Sequence, residues 1–284
     1  MVREEPLAGE DRIEIVGSVD AGVTAAKWSP DGELLAIVSM ADTIVFMSRS
    51  FEGILDVTMT AEDLKVSSHV SVGWGKKETQ FKGKGAKALR DPTIPERVDE
   101  GTLSPDDDGK ASISWRGDGA FVAISKIEGG TKRLIRVYSR EGVLDSVSEP
   151  VDGLEGALTW RPAGNLIAGV QRFSNHIDIV FFERNGLRHG QFSLRLTPEE
   201  LKTPKMHIKL EWNSDSSVIA VLLPNSVQLW TMGNYHWYLK QEIPILGMKL
   251  ARSDYLTWHP EKALLYMIGG AGKYYKSQFH LTQL

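Results

Sequence analysis

An all-β chain folded as a propeller of four-stranded blades is predicted by three observations. Tryptophans recur at a near-constant interval, the same kind of turn and apolar run follows them, and no segment sustains a 3.6-residue apolar period. The chain has 284 residues and eight tryptophans, among them Trp28, Trp74, Trp115, Trp160, Trp212 and Trp258. Those six positions are separated by 46, 41, 45, 52 and 46 residues, close to the length of one WD-type blade, about 40–45 residues.

The elements follow from the repeat. "WSPDGELLAIVS", "WRGDGAFVAISK", "WRPAGNLIAGVQ", "WNSDSSVIAVLL" and "WHPEKALLYMIG" each place a tryptophan before a short turn and then an apolar run. The tryptophan ends one strand, the turn reverses the chain, and the run is the next strand. That run is nearly continuous rather than alternating, as expected where a strand is buried on both faces. Third strands are read at "TIVFMS", "LIRVYS", "IDIVFFE" and "SVQLWTM", and fourth strands at "GILDVTM", "GVLDSVS", "GLRHGQFSL" and "YHWYLKQEI". "TPEELK" (197–202) is long enough for one helical turn. The expected count is about six four-stranded blade units of WD-repeat type, one at each of the six tryptophans, in an incomplete seven-bladed ring. Residues 1–11 are a polar lead and 12–284 a partial propeller, with a further blade's worth of sequence expected upstream of Met1. The six tryptophans are the expected structural blade core, and Trp28, Trp115, Trp160, Trp212 and Trp258 are expected to be buried.

Residues 83–110 break the pattern. They hold three prolines and many charges, basic first and then acidic at Asp91, Glu96, Asp99, Glu100, Asp106, Asp107 and Asp108. With little apolar surface to offset the entropy of ordering, this insertion is expected to be mobile and its acidic groups solvated, the alternative being that its basic and acidic halves pair with each other.

Composition narrows the function classes. A formal net charge of −4 is not that of a dedicated nucleic-acid binder. The absence of cysteine excludes disulfides, thiol nucleophiles and thiolate metal sites. The longest apolar runs have strand length, and "MVREEPLAGED" is too charged for a signal peptide. A soluble protein of the cytosol or nucleus is the default reading.

One stretch invites a sharper reading. In "VGWGKKETQFKGKGAK" (72–87), Lys76, Lys77, Lys82, Lys84 and Lys87 alternate with glycines, and Arg90 lies just beyond. A phosphate-cradling loop needs a G-x-x-x-x-G-K-[ST] sequence between a strand and a helix, and neither is present. The bland reading is a solvated loop; the alternative is a basic surface meeting an acidic partner or an RNA backbone through Lys76–Arg90. The aromatic and basic mixture "NYHWYLKQE" (234–242) reads as an outer blade strand rather than a base-stacking platform. Seven scattered histidines (69, 176, 189, 207, 236, 259 and 280) form no metal-ligand pair, and no nucleophile elbow occurs. No catalytic, cofactor-binding or metal-binding residue is assigned, and no cofactor is expected.

Several phrases outside the repeat are more specific than blade spacing. They are "VGWGKKETQFKG" (72–83), "DPTIPERVDEGTLSPDDDGKASISWRGDGAFVAIS" (91–125), "RVYSREGVLDSVSEPVDGLEGALTWRPAGNLIA" (136–168), "FFERNGLRHGQF" (181–192) and "VQLWTMGNYHWYLKQEI" (227–243). In order, across most of residues 12–260, they resemble the amino-terminal propeller of the scaffold-subunit family of Elongator. That resemblance implies a non-catalytic scaffold in the complex that modifies the wobble uridine of transfer RNA. It also implies partners among the other Elongator subunits, the catalytic one included, and transfer RNA contacted only indirectly or weakly. No membrane association is implied, and the location would be the cytoplasm with the nucleus as a second compartment. The other readings are an enzyme whose residues converge in the central channel, an RNA-binding propeller using the basic loop, and a generic WD-repeat interaction module of another translation-related complex. If the insertion is mobile, limited trypsin digestion should cut near Lys84, Lys87, Arg90 or Arg97 before any blade is cleaved; full resistance there would show it folded onto a surface.

Overall fold

Each tryptophan-led repeat has apolar runs of strand length separated by short turns, so the chain folds back on itself into small antiparallel sheets. The computed structural model describes residues 15, 17–19, 21–65, 99–203, 206–245, 255–268 and 274–278. The first sheet runs β1 (Val23–Trp28), β2 (Leu34–Ser39), β3 (Thr43–Ser48) and β4 (Gly53–Thr58). The second is β5 (Ser112–Trp115), β6 (Phe121–Glu128), β7 (Lys132–Ser139) and β8 (Leu144–Val147). The third is β9 (Leu154–Trp160), β10 (Leu166–Arg172), β11 (Ile177–Glu183) and β12 (Arg188–Ser193). The fourth is β13 (Lys209–Trp212), β14 (Val218–Leu222), β15 (Ser226–Gly233) and β16 (His236–Pro244). The fifth has three strands among the described residues, β17 (Tyr255–Trp258), β18 (Leu264–Ile268) and β19 (Tyr274–Gln278). A single helical turn at Pro198–Leu201 is closed by a reciprocal cap between Thr197 and Glu200.

The repeat fixes the register. Trp28 pairs with Leu35, Trp115 with Val122, Trp160 with Ile167, Trp212 with Ile219 and Trp258 with Leu265. One hydrogen bond closes every turn, from the N–H after the tryptophan to the carbonyl five residues on, at 2.7–3.0 Å from Ser29 N–Leu34 O to Asn213 N–Val218 O. In three sheets the turn acid tightens this further. The carboxylates of Asp31, Asp118 and Asp215 accept the N–H of Glu33, Ala120 and Ser217 at 3.1, 3.0 and 2.8 Å. The Ser29 hydroxyl bond to Asp31, with the Glu33 N–H, holds that carboxyl down to about 2.

The core lies between sheets. Ile179 and Phe181 of β11 pack toward the fourth sheet, while Val180 and Phe182 pack toward the second. In β14, Ile219 and Val221 face the third sheet, and Val218, Ala220 and Leu222 face the fifth. Burial on both faces is why the apolar runs are continuous.

The tryptophans reach back to the preceding sheet. Trp115 Nε1 donates to Lys27 O at 3.1 Å and Trp258 Nε1 to Glu211 O at 3.3 Å. Ring contacts run the same way, Phe46–Trp115, Phe121–Trp160 and Phe181–Trp212, with centroids 6.3, 6.4 and 6.4 Å apart. Trp115, Trp160, Trp212 and Trp258 are buried. Trp28 is not: it is 38% exposed, resting edge-on against Phe51 of its own sheet. Among the described residues no sheet stands before β1 for it to pack on, which corrects the expectation of burial.

Trp74 lies outside the described residues. The blade counted at it does not separate its neighbours, because the first and second sheets share one core of Phe46, Ile44, Trp115, Ile113 and others. The described residues thus form five sheets in sequence order, and no strand pairing joins the first to the last. Replacing Trp160, 2% exposed, by Ala should lower unfolding free energy by about 3–5 kcal/mol. The same change at Trp28 should cost about 1 kcal/mol. Urea denaturation of both variants tests this, and equal losses would show that the backward packing is not what holds the tryptophans.

Candidate functional site

The inner strands β1, β5, β9, β13 and β17 surround a central cavity of about 480 Å³, lined by residues including Lys27, Ile113, Leu158, Leu210, Glu211 and Leu256. Its walls mix aliphatic residues with Lys27, Ser112, Lys209 and Glu211. Glu211 is the acidic group here. Burial pushes its carboxyl above the ordinary glutamate value, and the charge of Lys27 works against that rise. Among the described residues no three His, Cys, Asp or Glu side chains converge as a metal site would require. His176 stacks on Phe173, His189 meets Glu183, and His259 accepts the Glu261 N–H in its own turn. His69 and His280 lie outside the described residues.

At the end of the sheets opposite the tryptophan turns, residues 99–110 cross the second and third sheets. The Asp152 carboxylate accepts three consecutive backbone N–H groups, those of Glu100, Gly101 and Thr102, at 3.1, 2.9 and 2.9 Å. Arg133, with its side chain 0% exposed, grips Asp107 through two bonds of 2.6 and 2.7 Å and also donates to Lys110 O at 3.0 Å. Arg172 pairs with Glu155, reaches Met206 O at 3.0 Å and lies 3.5 Å from Asp106; Glu155 also accepts the Ser104 hydroxyl at 2.8 Å. Arg188 holds Asp99 at 2.8 Å. The crossing is close. Gly101, at φ +85°, would place a Cβ 3.1 Å from Pro150 Cβ and 3.2 Å from Lys132 Cβ, tighter than an ordinary contact.

This part of the acidic insertion is therefore anchored, not mobile, and Asp107 is buried rather than solvated, its side chain 4% exposed. Both are corrections, and one cause explains them: paired, hydrogen-bonded charge replaces the apolar surface that the segment lacks. The arginines are the functional side chains that sequence reasoning passed over. The available signal was Arg133 interrupting the apolar run "KRLIRVY", a charge within a strand pattern that implies an acidic partner. The basic-loop residues Lys76, Lys77, Lys82, Lys84, Lys87 and Arg90 lie outside the described residues.

Antiparallel sheets in sequence order around one axial cavity, with loops gathered at two ends, define a β-propeller. A likeness in fold alone is seen to the Myceliophteria thermophila Cps50 (Swd1) β-propeller domain, at a TM-score of 0.53 and 10% identity, covering 90% of this chain and 65% of that one. The family model described as the ELP1 first N-terminal β-propeller matches residues 1–261, and the chain belongs to that family. It is 47% identical to Elongator complex protein 1 of Schizosaccharomyces pombe over 99% of its length, and 44% identical to that of Saccharomyces cerevisiae over 93%. The mouse relative is 40% identical over 95% of this chain. The chain spans about a fifth of the length of these relatives, 22%, 21% and 21%.

Two outcomes are expected. Asp107→Ala should destabilise the chain by about 3–5 kcal/mol, since it removes both close bonds to the buried Arg133 and leaves only Asp108, 3.9 Å away, as a carboxylate partner; urea denaturation against Asp56→Ala, on the exposed β4 strand, measures it. Glu211 has a folded pKa raised above its unfolded value, so its contribution is full at acid pH and declines as pH rises through that folded value. Glu211→Gln should therefore be the more stable protein at neutral pH and lose that advantage below the ordinary glutamate range. A stability difference that stays constant with pH would show Glu211 solvated.

Proposed function

We propose that the chain is a non-catalytic interaction scaffold of the Elongator complex, supporting modification of the transfer-RNA wobble uridine through protein–protein contacts. The observation that carries this reading is the family match over residues 1–261, supported by relatives named Elongator complex protein 1. A propeller suits such a role, because rigid sheets hold loops at two ends where partners can dock. Partners on this reading are the other Elongator subunits, including the catalytic one, in the cytoplasm. Transfer RNA is met indirectly or weakly through this propeller, and no cofactor is needed.

Affinity purification of the full-length protein, with identification of what remains bound, tests the reading. Retention of the catalytic Elongator subunit through stringent washing is the expected result, and its consistent absence would sink the proposal. The lysine-rich stretch favours direct RNA binding as the second reading. Neutralising several phosphates would make affinity fall steeply with salt. Charge reversal at Lys76, Lys77, Lys82 and Lys84 should leave subunit retention unchanged if the scaffold reading holds.

A further inference from the structure

The tryptophan turns are not chemically equal. The third residue after the tryptophan is acidic in four repeats, Asp31, Asp118, Asp215 and Glu261, and is Ala163 in the third sheet. That difference leaves a cation uncovered. Arg116, which follows Trp115, is neutralised by Asp118 through bonds of 2.8 and 2.6 Å, and Arg140 pairs with Asp31 at 2.9 Å. Arg161 follows Trp160 in the same register but finds no carboxylate partner among the described residues. Its Nε donates to Ser216 O at 2.9 Å, and its guanidinium lies over the Trp212 ring, 5.4 Å from the centroid. These contacts orient the group without cancelling its charge.

Arg161 lines a surface cavity of about 190 Å³ between the third and fourth sheets, together with Trp212, Ser216, Ser217, Met232 and Trp237. The walls are set before any ligand arrives. Ser216, at φ +66°, accepts the Ala163 N–H at 2.8 Å, and Trp237 stacks on Phe181 with centroids 4.7 Å apart and planes 5° from parallel. Trp212 leaves its buried Nε1–H without a partner among the described residues, where Trp115 and Trp258 use theirs. The β15–β16 hairpin extends the wall outward. Met232, opposite Trp237 on the same face, is 42% exposed, and Tyr235 is 93% exposed at the hairpin tip. Asn234 and Tyr235 both have positive φ, 47° and 61°, a conformation in which the second place of such a turn favours glycine. An aromatic residue is thus held in strained backbone with its ring in solvent. Tyrosine and methionine beside arginine match the composition of protein–protein contacts.

We propose that this pocket docks an acidic side chain of a partner protein, its carboxylate on Arg161 and its apolar neighbours on Met232 and on Tyr235 at the hairpin tip. The proposal rests on the scaffold reading and deepens it. The cavity is smaller than the roughly 300–1,000 Å³ of small-molecule sites, so a side chain fits better than a cofactor. One uncovered cation amid tryptophan and methionine suits a carboxylate with apolar neighbours, whereas an RNA backbone is held by several cations together.

The probe is a short fluorescein-labelled peptide of alternating Glu and Leu, titrated into the full-length protein and followed by polarisation. Saturable binding is expected, with loss when Gln replaces Glu in the peptide. Arg161→Gln should weaken binding by about tenfold or more. Because that change also removes the Ser216 contact, Ala163→Asp is the second variant. It restores the acid found in the other turns, keeps Arg161, and should weaken binding as much with an unchanged melting temperature. Absence of saturable binding by the parent protein, or equal binding by parent and Ala163→Asp, would overturn the pocket. So would Arg161-dependent binding of a single-stranded uridine oligomer with none of the peptide. If peptide binding fails while the catalytic Elongator subunit still co-purifies, the pocket falls and the scaffold reading stands.

Discussion

The third and fourth sheets are apolar and buried on both faces, and the rest of the architecture follows from the need to cover both. A lone four-stranded sheet with Ile179 and Phe181 on one side and Val180 and Phe182 on the other could not be stable in water. Neighbours solve this, and the tryptophan at the end of the inner strand ties each sheet to the one before it, by indole hydrogen bond or ring contact. The common turn register then places all the inner strands around one axis, and this produces the central cavity and two distinct ends. Stability in such an arrangement is a sum of sheet and nearest-neighbour terms rather than the property of a single core.

The two ends use charge differently. At one, Arg133, Arg172 and Arg188 are largely withdrawn from water and meet acids from residues 99–110. Taking such ions out of water costs several kcal/mol each, roughly, and the pairs recover it only because the geometry is bidentate or shared with backbone carbonyls. Their return is in specificity, because a segment with little apolar surface settles in one position. At the other end Arg161 keeps its charge facing a cavity, since the acid that its repeat neighbours possess is replaced by Ala163. One repeat pattern yields closed ion pairs in one unit and an open cation in the next.

Much of the fold was legible in the sequence, for a physical reason. Tryptophan, turn and apolar run are local features, so the hairpins they form could be read at Trp115, Trp160, Trp212 and Trp258, as could the outer strands at "TIVFMS" or "IDIVFFE". Spacing alone does not define a unit at Trp74. "KETQF" after Trp74 has neither the turn nor the apolar run of the others, and the sheets on either side pack directly together. The exposure of Trp28 depends on what stands before it in space, which periodicity does not report. Least legible were the ion pairs. Asp107 and Arg133 are brought together only by the crossing of a segment over two sheets, and an acidic run in isolation reads as solvated.

The direct contact between the first two sheets also separates packing from connectivity. Lys27 and Trp115 touch across 88 residues of sequence, yet their contact is made by inner strands and owes nothing to the length of chain between them. The ends of that connection are fixed by Met59 in the shared core on one side and by Asp99 and Asp107 on their arginines on the other. Loop-closure entropy grows only logarithmically, so doubling the connection would cost about 0.6 kcal/mol. On the entropic side alone, a change in the length of chain between residues 65 and 99 would therefore leave the packing of the first two sheets little altered.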